Sequence, residues 1–289
     1  MRTTFSLLKS RASASSSRWI ARQQKDPYVK SRLSSIGNNR TSYNENTSGY
    51  PSYRSRSSFK LLSLAQKHPS ILDAGRIKVV VDLGAAPGGW TQVASHLLHR
   101  NGRQRIDDGL KAKIFALDIL DMEAIPNVEV IRGDFLSEQV RNTLQMKIGT
   151  LKNTDPLTDP SFLDQVEGTR WECGVDTVLS DMMAPMSGNR LRNVQLSLQL
   201  CAAATIFARA TLKCAREGEE VKKIGNKRIW PGGNLVIKFF AHPDMDEFRS
   251  TELDPWFSKV VVEKPKESRA ESSEAYWVCL GFKGDPATR

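Results

Sequence analysis

From residue 53 onwards, short apolar runs alternate with segments of helical periodicity. Ile77–Leu83 is rich in β-branched residues and almost continuously apolar, as expected of a strand buried on both faces of a parallel sheet. A glycine-rich turn and a helical pattern follow it directly, and this order predicts the start of a nucleotide-binding βαβ unit. Three more strands and a long amphipathic helix are predicted at Lys113–Leu117, Val128–Ile131, Leu235–Phe240 and Val194–Leu212.

The first 58 residues lack this pattern. They contain fifteen serines and scattered apolar residues, and no acidic side chain occurs before Asp26. A serine-rich, arginine-rich and acid-poor segment is typical of an organelle transit peptide. We therefore predict a mitochondrial transit peptide over residues 1–25, a disordered linker over 26–52 and a folded domain over 53–289. The alternative is a basic tail that contacts RNA or serves nuclear import.

The net charge of +10 belongs to the same N-terminal segment. Residues 1–60 hold twelve basic and two acidic side chains, whereas residues 61–289 hold thirty of each kind. A nucleic-acid surface on the folded domain must therefore come from local clusters of basic residues.

The composition argues against two classes of protein. No uncharged apolar run approaches the length of about 18 residues that a membrane-spanning helix needs, so we predict no membrane span. The four cysteines form no CxxC pair, and no histidine lies beside them at zinc-ligand spacing. We therefore predict neither a disulfide scaffold nor a metal site.

The turn after the first strand reads DLGAAPGGW, from Asp82 to Trp90. It contains neither GxGxxG nor GxxxxGK[ST]. Pro87 lacks an N–H group and has a fixed φ, which suits a pyrophosphate poorly and suits a ligand with a carboxylate and an ammonium group better. Small residues let the backbone approach this ligand, and the next helix begins with unpaired N–H groups.

Asp118 and Asp134 follow the second and third predicted strands. The carboxyl ends of parallel strands border the ligand crevice of an open α/β sheet. Asp118 is therefore suited to bind ribose hydroxyls, and Asp134 to accept a hydrogen bond from an adenine amine. Each aspartate taken alone is as well explained as a turn or capping residue.

Together these segments resemble the FtsJ/RrmJ family of ribosomal-RNA 2′-O-ribose methyltransferases. The resemblance covers Ser55–Lys283, and its motifs, in the family's order, are VVDLGAAPGGW, ALDIL, GDF, LSDM, VIKFF and KPKESRAESSEAYWVCLGFK. It implies an α/β, Rossmann-like, S-adenosylmethionine-dependent methyltransferase fold with a seven-stranded, mostly parallel sheet and an antiparallel last strand.

With the N-terminal segment, the resemblance points to the mitochondrial branch of the family. It implies methylation of a uridine of the large-subunit rRNA in the matrix, in support of ribosome biogenesis, with rRNA or the large ribosomal subunit as the partner. One alternative is an rRNA-binding assembly factor with weak catalysis. The other is the same reaction on tRNA or an mRNA cap.

The resemblance also implies the residues of the site. The catalytic tetrad would be Lys60, Asp181, Lys238 and Glu274, in SRSSFKL, LSDM, VIKFF and SSEAYWV. The residues that bind S-adenosylmethionine would be Gly88, Gly89, Trp90, Asp118, Asp134 and Asp181. Such a tetrad fits the chemistry, because the ribose hydroxyl must be held in line with the methyl group and must lose its proton.

The chain departs from the family pattern in three places. Residues 101–112 lengthen one turn, residues 149–172 add a polar insert, and Pro185 is shifted by one position in the loop after Asp181. We also predict three basic clusters that contact RNA: Arg54, Arg56 and Lys60; Arg190 and Arg192; and Lys264, Lys266 and Arg269.

Overall fold

Seven strands join in one sheet, and most of the predicted site residues lie at its carboxyl edge. The computed structural model describes residues 53–99, 112–149, 174–183, 190–216, 218–225, 227–268 and 272–288. The predicted transit peptide and linker, almost all of the 149–172 insert, and Pro185 lie outside these residues. The domain boundaries therefore stay a prediction.

The helices and strands follow one another in the α/β order that the sequence predicts. The helices are α1 (Ser57–Lys67), α2 (Gly89–His99), α3 (Glu138–Ile148), α4 (Arg190–Thr211) and α5 (Pro243–Phe248). The strands are β1 (Val79–Leu83), β2 (Lys113–Asp118), β3 (Val128–Arg132), β4 (Thr177–Ser180), β5 (Lys222–Ile224), β6 (Lys227–Ile229), β7 (Asn234–Phe240), β8 (Phe257–Glu263) and β9 (Glu274–Phe282).

The strand order in the large sheet is β3-β2-β1-β4-β7-β9-β8. The strands from β3 to β7 pair in parallel, and β9 is antiparallel to both of its neighbours, β7 and β8. This confirms the predicted fold, a seven-stranded and mostly parallel sheet with an antiparallel last strand. The order reverses between β1 and β4, and ligands of open α/β sheets bind at such a point.

The centre of the sheet is buried on both faces, as the continuous apolar runs predict. On one face, Val81, Phe115 and Ile237 pack in a cluster with residues of α4 such as Phe207. On the other face, Val80 and its neighbours are equally inaccessible to solvent. On the part of the chain that the structure describes, no helix has the length and apolar character needed to cross a membrane.

Helix α1 carries the first lysine of the predicted tetrad. It buries Leu61, Leu64 and Ala65 and packs against α2. Pro69 lies just beyond its C-terminus and begins a short 3₁₀ helix, because proline cannot continue the α-helical hydrogen bonds. The helix is thereby fixed over the edge of the sheet where β7 and β9 carry Lys238 and Glu274.

Candidate active site

Lys238 and Asp181 meet at the carboxyl edge of the sheet. Lys238 lies near the end of β7, and Asp181 follows β4, which pairs with β7 through Ser180 and Ile237. The Lys238 Nζ atom is 3.0 Å from Asp181 Oδ1 and donates to the Asp181 carbonyl oxygen at 2.5 Å. Both side chains are largely shielded from water, so this ion pair is held in one geometry.

The other two members of the predicted tetrad form a second ion pair. Lys60 Nζ on α1 is 2.5 Å from Glu274 Oε1 at the start of β9, although 214 residues separate the two in the chain. The Ser268 hydroxyl donates to the same oxygen at 3.0 Å. The structure therefore brings all four predicted residues to one edge of the sheet, as two lysine–carboxylate pairs.

Tyr276 connects the two ion pairs, and the sequence analysis missed it. Its hydroxyl is 3.0 Å from Asp181 Oδ1 and 3.2 Å from Glu274 Oε1. A signal for it was present, because residues two apart on a strand lie on the same face, and Tyr276 is two residues after Glu274. In the β7–β9 ladder it also lies directly opposite Lys238.

The surroundings set the protonation of this network. Burial, and then the charges of Asp181 and Glu274, raise the pKa of Tyr276 well above its usual range, so its hydroxyl remains a donor. Burial alone would raise the pKa of Glu274. The hydrogen bond and the charge of Lys60 outweigh this effect of burial. The pKa of Glu274 therefore lies below its usual range, and Glu274 is ionised. The cluster thus contains two carboxylates, two lysines and one fixed phenol.

The glycine turn beside this cluster packs so closely against neighbouring segments that larger residues would not fit at its glycines. Gly84 has a φ of +72°, and a Cβ atom there would lie 2.4 Å from the side chain of Met182, next to Asp181. A Cβ on Gly89 would lie 2.0 Å from the Ser55 hydroxyl oxygen. The turn therefore fits tightly between the loop after β4 and the segment that leads into α1.

Gly88, Gly89 and Trp90 open helix α2, where the first N–H groups have no partners within the helix. The Trp90 side chain is buried, and its indole N–H donates to the Ser57 carbonyl at 2.9 Å. Its ring packs against Tyr276, with the ring centroids 5.6 Å apart. The backbone of Trp90 would therefore contact a ligand, while its side chain packs against Tyr276 and helps to fix the position of that residue.

Asp118 and Asp134 lie at the ends of adjacent strands, as predicted. The two oxygens of Asp118 accept the N–H groups of Ala86 and Leu120, both at 2.8 Å, which ties this carboxylate to the glycine turn. Burial raises the pKa of Asp118, although these hydrogen bonds oppose the shift. Asp134 is exposed and accepts the N–H of Leu136 at 2.9 Å.

Asp82, the last acidic residue before the glycine turn, is a second residue that the sequence analysis missed. It is fully buried, and its Oδ2 atom accepts from the Thr91 hydroxyl at 2.6 Å. Its Oδ1 atom has no hydrogen-bond partner among the described residues. Burial, with a smaller contribution from the charges of Asp181 and Asp118, raises the pKa of Asp82 to about 7. A charged residue inside the apolar run VVVDL was the available signal.

These features fit S-adenosylmethionine, the cofactor that the resemblance implies. The charges of Asp118 and Asp181 both act on the buried Asp82. Carboxylates grouped in this way would favour a positively charged ligand such as a sulfonium with an ammonium group. The first N–H groups of helix α2, which have no partners within the helix, would face the negatively charged carboxylate of that ligand. Gly88, Gly89, Asp118 and Asp134 would then border it, with the two lysine pairs at one end.

The basic residues near the site differ in their accessibility. The prediction that Arg54 contacts RNA is wrong, because its side chain is buried and donates to the carbonyl oxygens of Pro87, Glu123 and Ala124 at 2.7–3.2 Å. Lys60 is engaged by Glu274. The remaining predicted cations with described side chains are exposed: Arg56, Arg192, Lys264 and Lys266. Arg269 and the side chain of Arg190 lie outside the described parts.

Comparison with known proteins agrees with this geometry. Residues 53–282 match the FtsJ-like methyltransferase family. The ribosomal RNA large subunit methyltransferase E of Alkalilimnicola ehrlichii is 37% identical over 230 residues, which cover 80% of this chain and 85% of that protein. The protein of the same name from Pseudomonas paraeruginosa is 32% identical over 273 residues, covering 94% of this chain and 99% of that protein.

A crystal structure described as a ribosomal RNA methyltransferase from Plasmodium falciparum has the same fold. Its TM-score is 0.53 at 23% identity, and the match covers 81% of this chain and all of that one. The match to the family model extends from the segment before α1 to the end of β9 and includes all four residues of the predicted tetrad. The chain therefore belongs to the FtsJ-like methyltransferase family, whose members use S-adenosylmethionine as methyl donor.

Proposed function

We propose that this methyltransferase transfers a methyl group to the 2′-hydroxyl of a ribose in ribosomal RNA, at a uridine of the mitochondrial large-subunit rRNA. The observation that carries the proposal is the cluster of two lysine–carboxylate pairs joined by Tyr276, beside a glycine turn that fits a cationic cofactor. The names of the bacterial relatives, ribosomal RNA large subunit methyltransferase E, support rRNA as the substrate.

The chemistry assigns a task to each member of the cluster. A ribose hydroxyl is a weak nucleophile at neutral pH, so its proton must be removed as the oxygen attacks. When bound, S-adenosylmethionine supplies a methyl group that is already activated by a positive sulfur. The Lys238 ammonium group of the ion pair first releases a proton to solvent; the neutral amine then accepts the hydroxyl proton and becomes an ammonium ion again. Asp181 then stabilises that ion at a distance of 3.0 Å.

Lys60 and Glu274 orient the substrate from the other side of the cluster. Glu274 holds the Lys60 ammonium group at 2.5 Å, where it is available to stabilise negative charge that develops on the ribose oxygen. Positioned proton transfer of this kind typically accelerates a reaction roughly 10²- to 10⁴-fold. Gly88, Gly89, Trp90, Asp118, Asp134 and Asp181 bind the cofactor in this proposal.

Methyl transfer to rRNA tests the proposal directly. The purified chain is incubated with an unmodified large-subunit rRNA transcript, with tRNA, and with capped mRNA, and 2′-O-methyl positions are mapped after the reaction. The proposal predicts one modified uridine in rRNA together with S-adenosylhomocysteine. Transfer to tRNA or a cap alone would assign the same chemistry to another substrate. Binding of rRNA without any transfer would favour an assembly factor.

We also propose that the N-terminal residues direct the protein to the mitochondrial matrix, because residues 1–25 contain six basic and no acidic side chains. The match to the Pseudomonas relative covers 94% of the chain and so extends into residues 1–52. Reporter fusions of residues 1–25 and of residues 26–52 should therefore be tested separately, to find which segment directs import. Mitochondrial import of the first fusion alone is expected, and a diffuse or nuclear signal would reject the proposal.

A further inference from the structure

The molecule also contains a small second sheet, which contributes no residue to the site described above. Strands β5 and β6 form a separate two-stranded hairpin that is not part of the seven-stranded sheet. An isolated hairpin is only marginally stable in water. In this hairpin Ile229 is buried, the Ser70 hydroxyl donates to the Arg228 carbonyl oxygen, and Gly225 in the turn faces open space. Most of its described side chains are exposed.

Those side chains are mostly cationic. The basic hairpin, as we call residues 222–229, carries four exposed cations: Lys222, Lys223, Lys227 and Arg228. Lys223 lies directly opposite Arg228 across the two strands. Like charges in that position repel each other and destabilise the hairpin.

No carboxylate among the described residues compensates for this repulsion. Glu219 and Glu220 are exposed and close in sequence, yet neither forms an ion pair with the hairpin, although other surface cations such as Lys67 and Lys147 do have carboxylate partners. Among the described residues, the one polar contact of these cationic groups outside the hairpin is that of Lys227 Nζ, which donates to the Gln66 carbonyl oxygen at 2.5 Å. A local arrangement that opposes its own stability is typical of a binding surface.

The contact with Gln66 also places the hairpin relative to the site. Gln66 is at the end of α1, and Lys60 is six residues earlier on the same helix, so about 9 Å along the helix axis separates them. Helix α1 therefore leads from the tetrad to the basic hairpin. A nucleic-acid strand with one ribose at Lys238 that continues along this helix would reach the basic hairpin.

We propose that the basic hairpin binds phosphates of the RNA that flanks the methylated nucleotide, which extends the RNA-binding surface beyond the active-site cleft along α1. The proposal rests on the proposed RNA substrate. Lysine and arginine side chains without carboxylate partners bind phosphates with release of counterions, and this binding depends strongly on salt and weakly on sequence. The hairpin therefore contributes affinity for long RNA and takes no part in methyl transfer.

The test compares two triple variants of the full chain that remove equal charge. The hairpin variant is Lys222→Gln/Lys223→Gln/Arg228→Gln, which keeps the Lys227 contact to α1. The control is Lys113→Gln/Lys147→Gln/Lys259→Gln, at exposed positions on β2, α3 and β8. Binding to a large-subunit rRNA transcript is titrated at several salt concentrations, and kcat and KM for methyl transfer are measured separately.

The hairpin variant is expected to bind the transcript about tenfold more weakly than the control at low salt. The slope of log affinity against log salt should decrease by roughly 2, because each lost phosphate contact contributes about 0.7 to 0.9. KM should rise and kcat should stay unchanged. Equal affinity and equal salt slope in the two variants would overturn the proposal, as would a loss confined to kcat.

The binding titration also separates this proposal from the proposed function. If the wild-type chain binds the transcript but transfers no methyl group, the proposed function fails while the comparison of the two variants still decides the role of the hairpin. If the hairpin variant keeps its full affinity for RNA but no longer binds an acidic ribosomal protein, the partner is a protein and the proposal is overturned.

Discussion

Tyr276 couples the two ion pairs of the site, because its hydroxyl lies within hydrogen-bond distance of one carboxylate from each pair. We expect Tyr276→Phe to lower kcat roughly tenfold or more, since a hydrogen bond to a charged group is worth about 1.5–3 kcal/mol. Affinity for S-adenosylmethionine should change little, because the phenol hydroxyl touches the tetrad and not the glycine turn. Steady-state kinetics and calorimetry measure the two effects separately.

Tyr53→Phe is the matched control for this variant. Tyr53 is also buried, and its hydroxyl hydrogen-bonds to His96 instead of the tetrad. The control should keep its kcat while losing a comparable hydrogen bond. If both variants lose activity equally, the effect of Tyr276 is one of general stability and not of its position between Asp181 and Glu274.

Asp82 predicts a pH dependence of stability with a definite sign. Its folded-state pKa of about 7 lies above the unfolded value of about 3.9, so the folded protein holds this proton more tightly. The free energy of unfolding that Asp82 contributes is therefore greatest below pH 4 and decreases as the pH rises to about 7. Each unit of the shift corresponds to roughly 1.4 kcal/mol.

Asp82→Asn removes this titration and tests it. The stability of the variant relative to the wild type, from denaturant unfolding, should increase as the pH rises from 4 to 7 and then stay constant. The asparagine places an N–H₂ or a carbonyl group at the buried position, which adds an offset that does not depend on pH. A difference between the two proteins that is flat across this range would refute a raised pKa at Asp82.

At the level of elements, the segment before α1 locks the glycine turn in place. Arg54 donates to carbonyl oxygens on both sides of the cofactor region, at Pro87 and at Glu123 and Ala124. Arg54→Ala would leave these acceptors without their donor, and we expect a loss of roughly 2–4 kcal/mol of unfolding free energy together with weaker cofactor binding.

Arg56→Ala provides the comparison, because Arg56 is exposed and only two residues away. Its unfolding free energy should stay within about 0.5 kcal/mol of the wild type. Thermal unfolding and calorimetry of the two variants would distinguish a buried structural arginine from a surface one. Equal stability of both variants would mean that the hydrogen bonds of Arg54 contribute nothing to the fold.

The elements also mark what the sequence could and could not predict. Strands β1, β2, β3 and β7 were predicted from the apolar runs, and the seven-stranded sheet with its antiparallel last strand from the resemblance. The order of the strands and the β5–β6 hairpin were not predicted. From the sequence we expected Leu196, Leu200, Ala203, Ala204 and Phe207 of α4 to face the sheet. Ala204 and Phe207 are buried as expected, whereas Leu196, Leu200 and Ala203 are only half-buried, because smaller residues such as Ser197, Cys201 and Ala208 also occupy the buried face.

The residues of the site were predictable to different degrees, depending on whether local sequence pattern or a distant contact places them. Asp118 and Asp134 follow the second and third predicted strands, so local pattern and parallel pairing place them at one edge, whereas Asp181 was indicated by the resemblance. The Lys60–Glu274 contact joins residues 214 positions apart, and only the resemblance to the family indicated it. The burial of Arg54 runs against the usual exposure of arginine, and no local pattern signals it.

At the scale of the whole molecule, the folded domain separates its charges by location. The cofactor region collects carboxylates, at Asp82, Asp118 and Asp181, whereas the basic hairpin contacts α1 at Gln66, six residues after Lys60. In the proposed complex, the RNA would contact the lysine pairs and the hairpin, and the carboxylates would disfavour its entry into the cofactor crevice.

Methyl transfer by Lys238 variants tests the central claim most directly. Lys238→Ala should abolish methyl transfer to rRNA and keep S-adenosylmethionine binding, because it removes the proton acceptor and leaves the glycine turn intact. Lys238→Arg should also fail, since guanidinium stays protonated and cannot accept the hydroxyl proton. Lys259→Ala, on the exposed face of β8, is the control and should be fully active.

We therefore expect an inactive Lys238→Ala enzyme that binds its cofactor normally in calorimetry, and an equally inactive Lys238→Arg enzyme. An active Lys238→Arg enzyme would exclude proton transfer to Lys238 and leave it an electrostatic role. Full activity of Lys238→Ala on rRNA would contradict the assignment of the tetrad.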